Sequence, residues 1–231
     1  MGGDSIISIS DFEKIRALDT CTVSKAIERL EVRTRIEGSI AGSALHCLFP
    51  HLPPMLGYAV TGRIRSTASP VRGRAYHENI NWWGYVASIP KPRVMVLEDL
   101  DDIPGAGALL GELHAVIGTA LDCVGYVTNG SVRDLPAVEA LGLHVFAGGI
   151  AVSHMYAHIC EYGEPVEIGG LQIHPGSLIH GDRNGVHCIP LSIASEIPKM
   201  AAQILTEEDE FKEFHRSPRR SQRSSGWRPW R

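Results

Sequence analysis

The sequence lacks the features that mark membrane, secreted and disulfide-bonded proteins. No apolar run approaches the roughly 20 residues that a membrane-spanning helix needs, and the opening residues MGGDSIISIS have neither the basic nor the apolar segment of a secretory signal. The five cysteines are odd in number and show no Cys-x-x-Cys spacing. These absences predict a cytoplasmic protein whose thiols are reduced.

Net charge and composition further narrow the class of protein. A net charge of −4 argues against nucleic-acid binding by the body of the protein, and a hydrophobic share of 44% in 231 residues suits one substantial core or two small ones. The exception is the segment from His215 onward, HRSPRRSQRSSGWRPWR, which has many arginines and no acid. We therefore predict one domain over residues 1–214 and a disordered basic tail over 215–231. The tail is either an arm for RNA or an acidic surface, or an appendage without function.

Helical and strand patterns alternate along the first two thirds of the chain, and a β-rich part follows. Ser10-Asp-Phe-Glu13 has the form of a capping box, and the stretch of residues 67–85, with adjacent Trp82 and Trp83, is predicted to be a loop whose tryptophans pack in the core or line a pocket. The predicted helices are 10–18, 25–30, 111–121, 135–142 and 193–205, and the predicted strands are 58–65, 93–97, 124–128, 145–147 and several short runs within 164–190. This pattern suits an α/β domain with mixed sheets.

Most of the candidate chemistry lies in residues 111–134, GELHAVIGTALDCVGYVTNGSVRD. The pattern predicts a helix, a strand and a turn at Asn129-Gly130, with Arg133 and Asp134 after it. Arginine binds carboxylates through two parallel N–H bonds, aspartate oxygens suit hard divalent cations, and free N–H groups at a helix start attract anions. If the helix folds back on its strand, the two ends of the stretch meet and form a small-ligand site.

These residues resemble the RraA-like family. The resemblance rests on Gly111-Glu112, the 20-residue gap to Arg133-Asp134, and three later blocks at 142–147, 163–166 and 175–186, and it covers residues 10–205 loosely. The family contains the class II 4-hydroxy-4-methyl-2-oxoglutarate aldolases, which also decarboxylate oxaloacetate, and the protein regulator of ribonuclease E. The resemblance implies a layered β/β/α fold of the swivelling type, with N-terminal helices and a short C-terminal helix. It also implies a homotrimer or a pair of trimers, with sites at subunit interfaces.

The resemblance further implies a role for each residue of the stretch. Asp134 would ligate Mg²⁺ or Mn²⁺, Glu112 would hold water bound to that metal, and Arg133 would bind the carboxylate or carbonyl oxygen of a small 2-oxo di- or tricarboxylic acid. The backbone N–H groups that would clasp the same carboxylate belong to Gly111, Glu112, Leu113 and His114.

The chemistry of such a reaction agrees with a metal. Cleaving a C–C bond next to a 2-oxo acid leaves electrons on a pyruvate enolate, and no lysine is well placed for a Schiff base, since Lys91 precedes its strand and Lys25 lies in the N-terminal helices. A metal acting as a Lewis acid is the alternative. Two positions depart from the family pattern: Ala137 and Ser177 stand where many members have acidic residues, which puts the metal's surroundings and the cleavage step in question.

Rival motifs are weaker. Residues 105–111, GAGALLG, resemble a dinucleotide fingerprint, but the third glycine falls one place late. His154 and His158, with Cys160 nearby, would share a helix face, yet zinc needs a third or fourth ligand that no spacing supplies; the alternative is two surface or interface histidines. Cys123 lies in an apolar context and is not expected to be a nucleophile. The rival function is a non-catalytic regulator that binds an RNA-processing enzyme.

Overall fold

A mixed β-sheet organises the chain. The computed structural model describes residues 7–34, 37–40, 44–70 and 80–216, and of Ile80 only the backbone. Within these residues the strands are β1 (His46–Cys47), β2 (Met55–Arg65), β3 (Arg93–Asp99), β4 (Ala108–Leu110), β5 (Cys123–Val132), β6 (His144–Ile150), β7 (His158–Tyr162), β8 (Val166–Ile168), β9 (Leu171–Ile173), β10 (Leu178–Asp182) and β11 (Gly185–Ile189). The helices are α1 (Ile9–Arg16), α2 (Thr20–Arg29), α3 (Ile80–Ser88), α4 (Glu112–Ala120), α5 (Leu135–Ala140) and α6 (Ile197–Arg216), with a 3₁₀ turn at Leu191–Glu196 before α6.

The large sheet has the order β1-β6-β5-β3-β2-β10-β11, with β4 beside β5 and β7 beside β2. Its centre is parallel, because β2, β3, β5 and β6 pair in parallel, and its flanks are antiparallel. The central strands are apolar along most of their length because both of their faces are covered. The described part of the chain contains no helix long and apolar enough to cross a membrane.

Alternation along β3 shows the layers. Met95 and Leu97 belong to the core cluster that also contains residues of α3, α4 and α5, whereas Val94 and Val96 pack with the separate β8–β9 hairpin. The sheet therefore has helices on one face and a small second sheet on the other. This confirms the predicted layered β/β/α arrangement, with α1, α2 and α6 packed together as a third cluster. The C-terminal helix is longer than expected, at 20 residues.

The N-terminal helices begin earlier than the sequence predicted. Ser8, not Ser10, caps α1 by accepting the N–H of Asp11 at 3.1 Å. Asp19 caps α2 by accepting the N–H of Thr22 at 2.9 Å, so residues 20–24 are helix rather than an extended cap. Ser/Thr/Asp-rich stretches offer several cap choices, and tertiary packing selects one.

The turn predicted at Asn129-Gly130 is wrong, because β5 runs through both residues. The Asn129 side chain accepts the N–H of Asp99 at 2.7 Å and donates to its carbonyl at 3.0 Å, which ties β5 to β3. Pairing with β6 is irregular between Thr128 and Ser131. Asn129-Gly130 therefore lies at a β-bulge inside the strand rather than in a turn. The chain turns at Asp134 instead.

The predicted loop over residues 67–85 is also wrong in its last part, where Trp82 and Trp83 belong to α3. Trp82 is 1% exposed and contacts the rings of Tyr85 and Tyr162, which confirms core packing. The middle of that stretch, residues 71–79, lies outside the described residues. So does the basic tail beyond Arg216, where α6 ends, and the predicted boundary at residue 214 stays a prediction.

Candidate active site

The two ends of the 111–134 stretch meet at one edge of the sheet. Strands β4 and β5 are parallel neighbours, with Leu110 opposite Val132. The N–H of Arg133 donates to the carbonyl of Leu110 at 3.0 Å. The residue that follows each strand, Gly111 in one case and Arg133 in the other, therefore lies beside its counterpart, and α4 begins at this point.

Gly111 makes the close approach possible. Its φ of −140° is extended and open to any residue, so its role is one of space rather than backbone freedom. A Cβ at this position would lie 2.6 Å from Oδ2 of Asp134 and 3.0 Å from Nε of Arg133. Only glycine lets both side chains lie against the start of α4.

The backbone of Asp134 turns its carboxylate toward α4. Its φ of 56° and ψ of 38° are left-handed, a conformation that aspartate tolerates better than most residues. The side chain makes no capping bond to α5, the helix that follows it. Oδ2 instead accepts the N–H of Glu112 at 3.2 Å, and the side chain is 39% exposed. The carboxylate is thus fixed on one oxygen and open to solvent.

The guanidinium of Arg133 has unused donors. Its Nε lies 3.3 Å from Oδ2 of Asp134, and this nitrogen is buried without a hydrogen bond of good geometry to any described residue. Buried donors without a hydrogen bond are rare, and here the ion pair with Asp134 is the contact that compensates Nε. An arginine in this state is suited to bind an anion.

The other predicted residues lie on the first turn of α4. Glu112 is exposed, and Leu113 is 63% exposed. His114 is 8% exposed, and its ring centroid lies 5.3 Å from that of Trp83. Gly111 offers no side-chain cap, so the positive end of the helix faces Asp134 and Arg133 directly.

The two departures from the family pattern lie in different places. Ala137 is on α5, and its N–H donates to the carbonyl of Asp134 at 3.0 Å, so it is one turn away from the site. Ser177 closes the turn between β9 and β10, where its hydroxyl accepts the N–H of His174. The structure therefore brings Ala137 close to the candidate site, while Ser177 belongs to a separate turn.

The rival histidine motif does not form a helix face. His154 lies outside any helix or strand, and His158 starts β7. The Nδ1 atom of His154 lies within hydrogen-bond distance of the Met155 carbonyl, and that of His158 within the same distance of the Tyr156 carbonyl. Among the residues that the structure describes, no three His, Cys, Asp or Glu side chains group as metal ligands.

Burial raises the pKa of the Cys123 thiol to about 12, which agrees with the expectation that it is not a nucleophile.

Sequence reasoning missed an apolar rim beside the site, formed by exposed side chains on α4, at the end of β6 and on the segment that follows β6. The rim consists of Leu113, Val116, Ile117, Ile150, Val152, Met155 and Tyr156. The N–H of Ala151 donates to the carbonyl of Val132, which places this segment next to Arg133. The i, i+3, i+4 spacing on α4 was visible in the sequence, but only the structure shows that this stripe faces outward. Large apolar side chains exposed together next to a site are a feature of interaction surfaces.

Comparisons with known proteins identify the family of this chain. The RraA-like family, described as Aldolase/RraA, matches residues 20–187. Protein DlpA of Legionella pneumophila is 30% identical over 140 residues, which are 59% of this chain and 22% of that protein. A protein of Halalkalibacterium halodurans named as a putative 4-hydroxy-4-methyl-2-oxoglutarate aldolase is 33% identical over 84 residues, 36% of this chain and 40% of that one. The chain thus spans less than half the length of either relative.

A solved structure shows the same fold. Streptomyces coelicolor RraAS2, described as an unusual member of the RNase ES inhibitor RraA protein family, superposes with a TM-score of 0.68 at 20% identity. The match covers 92% of this chain and 98% of that one.

Proposed function

The chain belongs to the RraA-like family, and from that membership and the geometry at Asp134 we propose that it is a divalent-metal-dependent carbon–carbon lyase. It cleaves the bond next to a 2-oxo acid and releases pyruvate, in the manner of a 4-hydroxy-4-methyl-2-oxoglutarate aldolase or an oxaloacetate decarboxylase. The observation that carries the proposal is the carboxylate of Asp134, held 3.2 Å from the backbone nitrogen of Glu112 and 3.3 Å from the Arg133 guanidinium.

The substrate carboxylate binds between Arg133 and the start of α4. Arg133 offers guanidinium donors that the described residues leave unused, and the first turn of α4 adds the positive end of a helix dipole. A 2-oxo acid is a small anion that both groups recognise. Binding its carboxylate here brings the adjacent carbonyl close to Asp134.

The residues around Asp134 fit a hard divalent cation. The carboxylate is partly exposed, it does not cap its own helix, and the missing Cβ of Gly111 leaves space beside Oδ2. Mg²⁺ usually keeps several waters and takes only one or two protein carboxylates, so a single aspartate is a suitable donor set. Asp134 would hold Mg²⁺ or Mn²⁺, and exposed Glu112 would hydrogen-bond the surrounding water.

Such a cation supplies Lewis-acid stabilisation of an enolate oxygen, worth several kcal/mol. The chain's own part is to orient the substrate and to stabilise charge. When the C–C bond breaks, its electron pair stays on the pyruvate fragment, and Arg133 lies beside the negative charge that develops there. Neither lysine considered for a Schiff base lies at the site: Lys91 pairs with Asp122 at 3.5 Å, and Lys25 is bonded to Glu208 on α6.

We propose further that the protein is a homo-oligomer, a trimer or a hexamer, in which the apolar rim packs against another subunit. The rim adjoins Glu112 and Arg133, so an interface there would also limit water access to the site. Sedimentation at micromolar concentration tests this, and a monomer would contradict it.

The test of the function is pyruvate release from oxaloacetate and from 4-hydroxy-4-methyl-2-oxoglutarate, with Mg²⁺ and then with EDTA. The spontaneous rate is subtracted because Mg²⁺ alone promotes oxaloacetate decarboxylation. Turnover that EDTA removes supports the lyase. Folded, oligomeric protein without turnover on either substrate contradicts it.

The second candidate function is a regulator that binds an RNA-processing enzyme, and the exposed apolar rim is the observation that favours it. RNA cleavage by a purified ribonuclease E-type nuclease, measured with the full chain and with a chain that lacks residues 217–231, discriminates the two functions. Inhibition of RNA cleavage without any lyase turnover would favour the regulator.

A further inference from the structure

A cavity separate from the candidate active site lies between the two open edges of the large sheet. The sheet ends at β1 on one side and β11 on the other, and these strands do not pair. Residues 38–40 run along β11, with the N–H of Ile40 donating to the carbonyl of Val186 at 3.1 Å, before the chain reaches β1. The gap encloses about 250 Å³, which we call the edge cavity; it is lined by Ile40, Leu45, His46, Cys47, Phe146, Arg183, Asn184, Gly185 and Val186.

The floor of the edge cavity is formed by buried apolar side chains, half-buried Leu45 and Cys47 line its wall, and its mouth carries the guanidinium of Arg183. Ile40, Phe146 and Val186 are buried, whereas Arg183 and His46 are exposed. No carboxylate is among the described residues that line it. Ligand sites commonly combine an apolar wall with a few polar groups that fix orientation.

Arg183 has no neutralising partner in the part of the chain that the structure describes. The adjacent acid, Asp182, is directed elsewhere: its oxygens accept the N–H and hydroxyl of Thr20 and the N–H of Asn184. The pKa of Asp182 is lowered, because these bonds outweigh the effect of its burial. Its charge is thus committed to holding α2, and Arg183 keeps its donors for an anion.

A second unsatisfied group lies against the cavity wall. The ring of His144 stacks on Phe146, with centroids 4.7 Å apart, and neither of its nitrogens has a hydrogen-bond partner among the described residues. The side chain is buried, at 2% exposure. Buried polar groups without partners are uncommon; His144 lies behind Phe146 and is not itself among the described lining residues of the cavity.

From these observations we propose that the edge cavity binds a small organic anion with an apolar body, such as a short-chain or aromatic carboxylate, through Arg183. The apolar part lies beside the half-buried side chains of Leu45 and Cys47, above the buried floor, and the anionic group meets the guanidinium. Cys47 contacts the ligand as a neutral thiol, since burial raises its pKa. The edge cavity is distinct from the site at Asp134. Ile150 belongs to the apolar rim beside that site, and Phe146 in the cavity lies four residues earlier on β6, about 13 Å along the strand.

Cys47 provides the readout. Its alkylation by iodoacetamide is followed by peptide mass spectrometry, with exposed Cys21 and Cys160 as internal controls. The probes are benzoate, butyrate and phenyl phosphate, and benzamide is the neutral match of benzoate. Fragments of this size bind with a Kd on the order of a few millimolar, so about 20 mM benzoate should slow alkylation of Cys47 about fivefold and leave Cys21 unchanged.

Two variants complete the test. Arg183→Gln removes the charge from an exposed turn and should abolish protection, whereas Arg16→Gln removes an exposed arginine of α1 and should retain it. The proposal is overturned if none of the three anions protects Cys47, if benzamide protects it equally, or if Arg183→Gln leaves protection intact. Should Cys47 not react without a probe, the amide resonances of Gly185 and Val186 replace it: saturable shifts with the anions support the site, and unchanged shifts overturn it.

Discussion

The Nε atom of Arg133 lies 3.3 Å from Oδ2 of Asp134, and both side chains pack against a glycine that leaves no Cβ between them and the start of α4. Adjacent residues with opposite charge often point apart in an extended strand. Here the left-handed backbone of Asp134 rotates its carboxylate back toward Arg133. The pair thus presents a cation for a substrate carboxylate and an oxygen ligand for a metal within one small site.

Arg133→Lys should raise KM for a 2-oxo acid about 10- to 100-fold with a smaller effect on kcat. A lysine keeps the charge but cannot reproduce the two parallel N–H bonds of a guanidinium. Steady-state kinetics on oxaloacetate checks this, with Arg65→Lys on β2 as the matched control. An unchanged KM would remove Arg133 from the role of carboxylate ligand.

Gly111→Ala should lower kcat/KM on the order of 100-fold while the protein stays folded. The backbone angles at residue 111 accept alanine, but the new Cβ would lie 2.6 Å from Oδ2 of Asp134 and force the carboxylate to move. Displacements of about 1 Å cost this much in positioned catalysis. Gly84→Ala in α3, where a Cβ meets nothing within 4 Å, is the control and should leave activity unchanged. Wild-type kinetics for Gly111→Ala would show that the contact has no functional role.

Acid should destabilise the fold from about pH 6.5 downward. Burial lowers the pKa of His144 and of His180 to about 4, so the unfolded chain binds more protons than the folded one between about pH 6.5 and pH 4. The free energy of unfolding therefore has its full value above the ordinary histidine pKa of 6.5, falls as the pH drops, and is no longer lowered by these two histidines below about pH 4. Each histidine lowers it by about 3 kcal/mol once the pH is below both of its pKa values.

The two histidines should respond differently to replacement by leucine. His144 has no hydrogen-bond partner among the described residues, so His144→Leu should keep stability at pH 7 and flatten the acid slope. His180 donates through Nε2 to the carbonyl of Leu18 and accepts at Nδ1 from His187 at 3.1 Å. His180→Leu should therefore lose about 2 kcal/mol at pH 7. Urea unfolding at pH 7 and pH 5 measures both, and equal slopes in wild type and His144→Leu would contradict the assignment.

Arg93→Met should destabilise the protein by about 2–4 kcal/mol without affecting the site chemistry. The buried guanidinium donates to the carbonyls of Ala87, Ile89 and Leu121, so it satisfies the ends of both α3 and α4. Losing it leaves these acceptors unpaired. Chemical denaturation checks the prediction against Lys91→Met, an exposed ion pair whose loss should change stability by less than about 1 kcal/mol.

Much of the fold was predictable because its signals are local. The buried runs at residues 93–97 and 145–147 became β3 and β6, and Gly142, with φ of 71°, ends α5 as expected. The errors arose where long-range contacts override local preference. Asn129 and Gly130 favour a turn, but the bonds between Asn129 and Asp99 hold them in β5.

The site could be predicted only in outline. Parallel pairing brings the residues after two neighbouring strands together, which is why the ends of the 111–134 stretch were expected to meet. The left-handed backbone of Asp134 and the close packing of Gly111 depend on the tertiary structure. The roles of these residues stay predictions, and the edge cavity combines residues from three distant parts of the chain, 40–47, 146 and 183–186, that no sequence spacing connects.

The most direct test of the central claim compares pyruvate release from oxaloacetate by wild type and Asp134→Ala, each with Mg²⁺ and with EDTA, and with Asp209→Ala on exposed α6 as control. We expect EDTA and Asp134→Ala each to remove turnover above the spontaneous rate, with circular dichroism and oligomeric state unchanged. Near wild-type turnover by Asp134→Ala would contradict a metal-dependent lyase site at this residue.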